Sequence, residues 1–399
     1  MHDPEACHPA RLLSSTVHVG LNLVFLVPGA TGGTETYARE LIPALVAAAP
    51  GVRFTAFVNR EVEAGGGPWT ELMPAIRVSV RARHRLEWVG GEHLLLPRLA
   101  AHAGVDVVHS LANTGPARGR FARVVTIHDL HFRLVPEAHL GVLGLGMRVL
   151  VPLAARRSQR IIVPAASTRD DLQRLLGIPP GRIDVVPEGF GTTQRAAPLP
   201  EPVVRARVSA GERPIVLSVS AKRPHKNLAR LLEALALIPA ERRPLLVVPG
   251  YPTPYEKLLR RRAEQLRLLD DVRLLGWIAP AELEGLYAAA GCVVCASLHE
   301  GFGLPVLEAM ARGVPVACSA RGALAEVAGQ AALTFDPESP DEIAAAVERL
   351  LRDDRTAQRL RAAGLEQAAR YQWAATAAGT LASYERALGR VPDEHQSRA

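Results

Sequence analysis

Two acidic side chains, Glu300 and Glu308, bracket the turn Gly301-Phe302-Gly303-Leu304 inside the stretch Ser297–Arg312. Ahead of it, Gly291–Cys295 is apolar and reads as a short buried strand, and after it Leu304–Arg312 reads as a helix. Pro305 suits a first helical turn, where its missing N–H had no partner to lose. The two glycines let the backbone N–H groups of residues 301 to 304 approach an anion at the positive end of the helix. A phosphate cradle flanked by two carboxylates that seek hydroxyls is what a sugar nucleotide needs. The same pattern also occurs in doubly wound proteins without such a ligand, with Glu308 as a solvated face residue.

A second cluster is basic. The apolar run Pro214–Ser220 reads as a strand and leads into Ala221-Lys222-Arg223-Pro224-His225-Lys226-Asn227, which opens a helix at Leu228. Cations at a strand end and helix start suit a diphosphate, although a solvated basic turn has the same composition. A third candidate is His128 with Asp129, at the carboxyl end of the strand Arg123–Leu130, where open α/β sheets place ligands. His109 ends the preceding strand, Val105–His109, and is the second histidine candidate. A fourth is the loop Pro28–Glu35, with Gly32 and Gly33, between a strand over Gly20–Val27 and a helix over Thr36–Ala49. It is neither a Walker A loop nor Gly-x-Gly-x-x-Gly.

The elements that must carry these residues alternate. Further strands are expected at Val52–Val58, Arg160–Pro164, Arg182–Gly189, Leu245–Gly250, Val272–Ile278 and Val314–Cys318, with helices over Ala281–Tyr287 and Tyr371–Ala387. Alternation of this kind predicts an α/β chain with parallel sheets. At 399 residues, two domains are expected. The Pro- and Ala-rich Gln194–Pro202 reads as their linker, giving an N-terminal domain over 1–200 and a second over 201–370.

Bulk properties exclude several classes. Apolar residues make up 48% and charged residues 22%, as in a soluble protein with a large core. The four cysteines, Cys7, Cys292, Cys295 and Cys318, are too scattered for a disulfide framework. Cys292 and Cys295 lie three apart in a strand and point to opposite faces, so they read as core thiols and not as a redox or metal pair. The net charge of +7 suits anionic nucleotides or an anionic membrane surface. Aromatics are only 5% and interleave with no basic run, which disfavours nucleic acid. No apolar stretch of membrane-spanning length is uninterrupted, and Met1–His18 lacks the organisation of a signal peptide, so a cytoplasmic location is expected. Arg81, Arg83, His84 and Arg85 form a basic cluster that reads either as a solvated helix face or as a peripheral membrane contact.

The run His-Glu-Gly-Phe-Gly-Leu-Pro-Val-Leu-Glu-Ala-Met-Ala-Arg-Gly-Val-Pro-Val from His299 resembles the donor-site signature of family 4 retaining glycosyltransferases. The Gly32-Gly33-Thr34-Glu35 loop, Thr126-Ile127-His128-Asp129-Leu130 and Pro224-His225-Lys226-Asn227 are similar to other segments of that family, over roughly residues 20 to 390. The resemblance implies a GT-B fold, two Rossmann-like doubly wound domains facing an interdomain cleft, with the closing helix 371–390 crossing back onto the first.

It implies that Lys226, helped by Arg223 or Lys222, binds donor phosphate with the Gly301–Leu304 turn. Glu308 would take the ribose, Glu300 the sugar hydroxyls, and the backbone around Trp277 and Ile278 the base, with Gly250 also on the donor side. Gly32 and Gly33 would lie near donor phosphate and acceptor. His128 would line the transferred sugar, while His109 and Asp129 would face the acceptor. The expected reaction moves a hexose, from GDP-mannose in preference to a UDP-sugar, to a glycan, lipid-linked or small-molecule acceptor. Retention of configuration is expected, with no cofactor, and no Asp-x-Asp metal pair stands out. His225 stands where arginine is frequent. Ala165, Ala166 and Glu188 depart from the similar segments, which weakens any acceptor contact from that edge. The competing readings are an inverting enzyme, a phosphorylase-like enzyme and a non-catalytic binding protein of the same fold.

Overall fold

Aliphatic and β-branched runs, long enough for a strand and too short for a helix, recur through both halves, and most become strands buried on both faces. The computed structural model describes residues 16–135, 142–191 and 196–389. The leader up to Ser15 with Cys7, the start of the expected linker at Gln194–Arg195, and Arg390 lie outside these residues.

The chain divides into two units. The first takes the described residues up to Leu130, Leu145–Gly189 and those from Gln372 onward. Its strands are β1 (His18–Leu23), β2 (Arg53–Val58), β3 (Ala75–Arg77), β4 (Val107–Ser110), β5 (Ala122–Thr126), β6 (Arg160–Val163) and β7 (Ile183–Val185). All are parallel, in the order β3-β2-β1-β4-β5-β6-β7. The order reverses between β1 and β4, the topological switch point of a doubly wound sheet. Strand β1 ends at Leu23, earlier than its apolar run suggests, because the Asn22 side chain accepts the N–H of Val24 and starts a turn. On one face, helices Gly33–Ala48 and Trp373–Ala387 bury Leu41, Leu45, Trp373, Ala377 and Tyr384 against Leu21 and Val107. On the other, Phe57, Val78, Leu96 and Val108 pack together.

The second unit takes the described residues within His131–Gly144 and Phe190–Tyr371. Its strands are β8 (Ile215–Leu217), β9 (Leu245–Val248), β10 (Val272–Leu274), β11 (Ala290–Cys295), β12 (Val316–Ser319) and β13 (Leu333–Phe335), ordered β10-β9-β8-β11-β12-β13 and parallel. The switch lies between β8 and β11. Strands β3 and β13 escape the sequence pattern because each is three residues long and at a sheet edge, where no apolar run is required. The unit begins at Phe190, before the expected linker, and a helix already starts at Glu201 within it. Cys292 and Cys295 join different cores on opposite sides of β11, and both are free thiols.

Candidate active site

In the second unit the loops after β8 and β11 meet at the switch point. Loop 221–227 is pinned by Asn227, which adopts φ 57° and whose Nδ2 donates to the carbonyls of Ala296 and Pro337. That fixes Lys226, whose Nζ donates to Oε1 of Glu300 at 2.6 Å. Ser297 Oγ donates to the same oxygen at 2.6 Å. Burial alone would push the Glu300 carboxyl up, but the charge and hydrogen bond of Lys226, with Ser297, hold it at about 2. The pair lines a small cavity with Ser218, Ser220, Ser297 and Pro305. Ser220 Oγ has no hydrogen-bond partner there.

Gly303 closes the turn with φ 118° and no side chain caps the helix Leu304–Met310. A side chain at Gly303 would also meet Leu324 at 2.9 Å. Glu308, on that helix, accepts from Tyr287 Oη at 2.8 Å through Oε2. Arg312 donates to the Glu308 carbonyl, pairs with Glu284 and lies 4.4 Å over the Tyr287 ring. Glu308 is thus held on a rigid base.

Several expected donor contacts take structural roles instead. Lys222 cannot stand in for a phosphate cation: it is fully buried, and its ammonium donates to the carbonyls of Gly250 (2.7 Å) and Leu275. Burial brings that group down to about 8. His225 supplies no charge either, since burial first and Lys226 second push it to about 3, with its ring stacked on His131 at 4.7 Å. Arg223 is exposed. Phe302 points into the core, edge-on to Tyr371, so only its backbone belongs to the turn. Gly250 is a glycine because a Cβ would lie 2.1 Å from the Ser220 carbonyl oxygen. Ile278 packs on the core, and Trp277, 70% exposed, stacks on Tyr251 with centroids 4.8 Å apart.

In the first unit, Gly32 (φ 67°) precedes the helix that Gly33 opens, and open space surrounds both. Glu35 fixes their loop by accepting from Gly29 N–H and Arg39. His128 follows β5. Its Nδ1 lies 3.0 Å from Glu188 Oε1 and its Nε2 2.9 Å from the Leu111 carbonyl. Asp129 is half-buried beside it.

His109 does not face an acceptor. It is fully buried, with Nδ1 on Tyr384 Oη and Nε2 on Thr126 Oγ1, both at 2.8 Å. Burial drives its pKa to about 3. A strand buried on both faces gives no alternation to say where its last residues point. Glu188, Asn113, Ser297 and Tyr287 are the supporting residues that sequence reasoning missed. Only Glu188 left a signal, as a carboxylate where the similar segments carry asparagine. The basic cluster is on the surface, where Arg81 pairs with Glu87 and Leu86 is 91% exposed.

Two parallel doubly wound sheets, one carrying a glycine turn, a lysine–glutamate pair and a second glutamate at its switch point, make a two-domain α/β fold of GT-B type. Residues 31–194 match Glycosyltransferase Family 4 and residues 203–367 match Glycosyl transferases group 1. The chain is 32% identical over 273 residues to O-antigen chain mannosyltransferase B of Escherichia coli, covering 66% of this chain and 70% of that protein. It is 31% identical over 395 residues to D-inositol 3-phosphate glycosyltransferase of Frankia alni, covering 90% and 96%. Its fold matches sucrose-phosphate synthase from Thermosynechococcus elongatus with a TM-score of 0.71 at 23% identity, covering 90% and 96%. The chain belongs to the family 4 glycosyltransferases, and its activity is transfer of a glycosyl group.

Proposed function

We propose that the protein moves mannose from GDP-mannose to a hydroxyl of a glycan or lipid-linked acceptor, with retention of configuration and without a metal ion. The observation that carries this reading is the Lys226–Glu300 pair lining the cavity beside the Gly301–Leu304 turn. A diphosphate offers Lys226 a second anion, and sugar hydroxyls offer Glu300 new donors, so a donor binds both by exchange. As the anomeric bond breaks, charge grows on the leaving phosphate, where Lys226, Arg223 and the turn amides stabilise it in place of a cation. Glu308, with Oε1 left to accept, takes the ribose hydroxyls. The leaving phosphate takes the acceptor proton from the same face, and His128 orients the sugar. The mannosyltransferase similarity supports the choice of sugar.

No helix among the described residues is long and apolar enough to cross a membrane. For a lipid-linked acceptor, Arg83, Arg85 and exposed Leu86 would supply peripheral contact at the inner face of the plasma membrane, which sedimentation with anionic against neutral vesicles tests.

Thermal-shift measurements with GDP, UDP, ADP and dTDP, with and without magnesium, test the donor. A ligand at about a hundred times its dissociation constant stabilises by about 2.7 kcal/mol. A magnesium-independent shift selective for GDP is expected. A UDP-selective shift reassigns the donor, and no shift with any nucleotide removes the donor site as drawn.

A further inference from the structure

The His128 ring is bonded at both nitrogens to groups that accept. Nε2 faces the Leu111 carbonyl at 2.9 Å, which has no proton to give, so Nε2 carries one. Nδ1 faces the Glu188 carboxylate at 3.0 Å, which calls for a second. The geometry fits an imidazolium beside a carboxylate, and a neutral Nε2–H ring fits it only if the Glu188 carboxyl holds the second proton. Both side chains are buried, 10% and 6% exposed.

Glu188 is itself held. Beside it, Gly189 lies so close to Trp373 that a Cβ would come within 2.3 Å of the Trp373 nitrogen, and Thr376 Oγ1 donates to the carbonyl of Pro187 at 2.8 Å. On the other side, Asn113 Oδ1 accepts the His128 main-chain N–H at 2.8 Å, and Tyr37 packs edge-on with centroids 4.8 Å away.

We propose that Glu188 is a positioning residue, which keeps His128 doubly protonated and fixed in orientation, so that His128 acts on the sugar by placement and charge and not as a proton acceptor. This rests on the reading of His128 as a residue at the transferred sugar. An imidazolium has no lone pair on either nitrogen and cannot take the acceptor proton.

The other titratable groups around the ring agree with this state. Burial works against the charged ring, but the bond and charge of Glu188, the Leu111 carbonyl and the charge of Asp129 raise its pKa above the usual value. Tyr37 stays neutral because burial raises its phenol. His109, behind the site, is kept neutral by burial first and by the His128 charge second.

The test is nitrogen NMR of the full-length protein carrying labelled histidine, with His128→Gln identifying the signal. Wild type is expected to keep two protonated ring nitrogens to a higher pH than an ordinary imidazole, whose pKa is about 6.5. Glu188→Gln should show a neutral tautomer, lose about tenfold or more in kcat with donor KM nearly unchanged, and regain activity as pH falls. Glu188→Asp should restore part of both. A neutral His128 in the wild type at about pH 7 overturns the proposal even if no variant folds. So does a Glu188→Gln enzyme with the wild-type nitrogen signature and pH profile. The spectrum needs no substrate, so it decides the point even if the donor reading fails.

Discussion

Both units hold a pair of opposite charge at the carboxyl edge of their sheet, half-buried in the second unit and buried in the first, and the two pairs are built for different work. Lys226–Glu300 lines a cavity, and Lys226 has further N–H donors to give. His128–Glu188 is closed, since both ring nitrogens and the main-chain N–H of His128 are taken. An ion pair that must meet a ligand needs a partner it can exchange, whereas one that orients a ring needs every bond filled. Buried pairs are weak evidence for stability in themselves, because desolvation offsets much of the attraction. Their surroundings tell them apart.

The largest expected effect breaks the open pair. Lys226→Ala removes the cation from the leaving phosphate and should raise the barrier by about 2–4 kcal/mol, read as a fall in kcat. Wild-type turnover in this variant would sink the assignment of the second-unit loop as the phosphate site.

The second prediction sets the pairs against each other by pH. The folded Glu300 carboxyl stands at about 2 against an ordinary value of 4.5. Its contribution is therefore present above about pH 4.5 and is lost as pH falls toward about 2, to the extent of roughly 3 kcal/mol. The folded His128 ring is raised above 6.5, so its contribution is complete below that value and fades as pH rises through the folded pKa. Urea unfolding across pH should show Glu300→Gln flattening the acid limb and Glu188→Gln flattening the alkaline one. The same limb affected by both variants would mean the pairs are not distinct in kind.

How far these sites could be read from sequence follows from how local each is. The Gly301–Leu304 turn is announced by neighbours within a dozen residues: an apolar strand, two glycines and a proline that opens the helix. Asn227 beside Lys226 is equally local, and so is the separation of Cys292 from Cys295. The contact of Lys226 with Glu300 spans 74 residues and that of His128 with Glu188 spans 60, and no periodicity encodes either. Glu188 looked like a defect in a familiar segment until the fold brought it to His128. His109 was misread for the converse reason: it ends the strand beside the one that delivers His128, but its own side chain turns into the core. Lys222 shows that a lysine in a basic loop can spend its charge on two carbonyls.

The third prediction compares the two carboxylates of the turn. Glu300 is paired with the charged Lys226 ammonium, while Glu308 answers to a neutral phenol on its Oε2. Glu308→Ala should thus weaken nucleotide binding by about tenfold, about 1.4 kcal/mol, with a smaller change in kcat. Titration with the nucleotide alone measures this. A loss confined to kcat would move Glu308 from the ribose to the reacting centre.

The smallest expected effect sharpens the same contrast. Tyr287→Phe deletes the hydroxyl that donates to Glu308 at 2.8 Å and leaves the ring beneath Arg312 in place. One neutral donor to a charged acceptor is lost, and water can replace it because Glu308 is only half-buried. Nucleotide affinity should fall by about 0.5–1.5 kcal/mol, with turnover at saturating donor unchanged. If Glu308 instead relied on Arg312 for its placement, Tyr287→Phe would change nothing measurable. Arg312→Lys, which loses the two-pronged contact to Glu284 and the planar stack on Tyr287, would then carry the whole effect. The pair of titrations separates a hydroxyl that aims the carboxylate from a guanidinium that braces the helix beneath it.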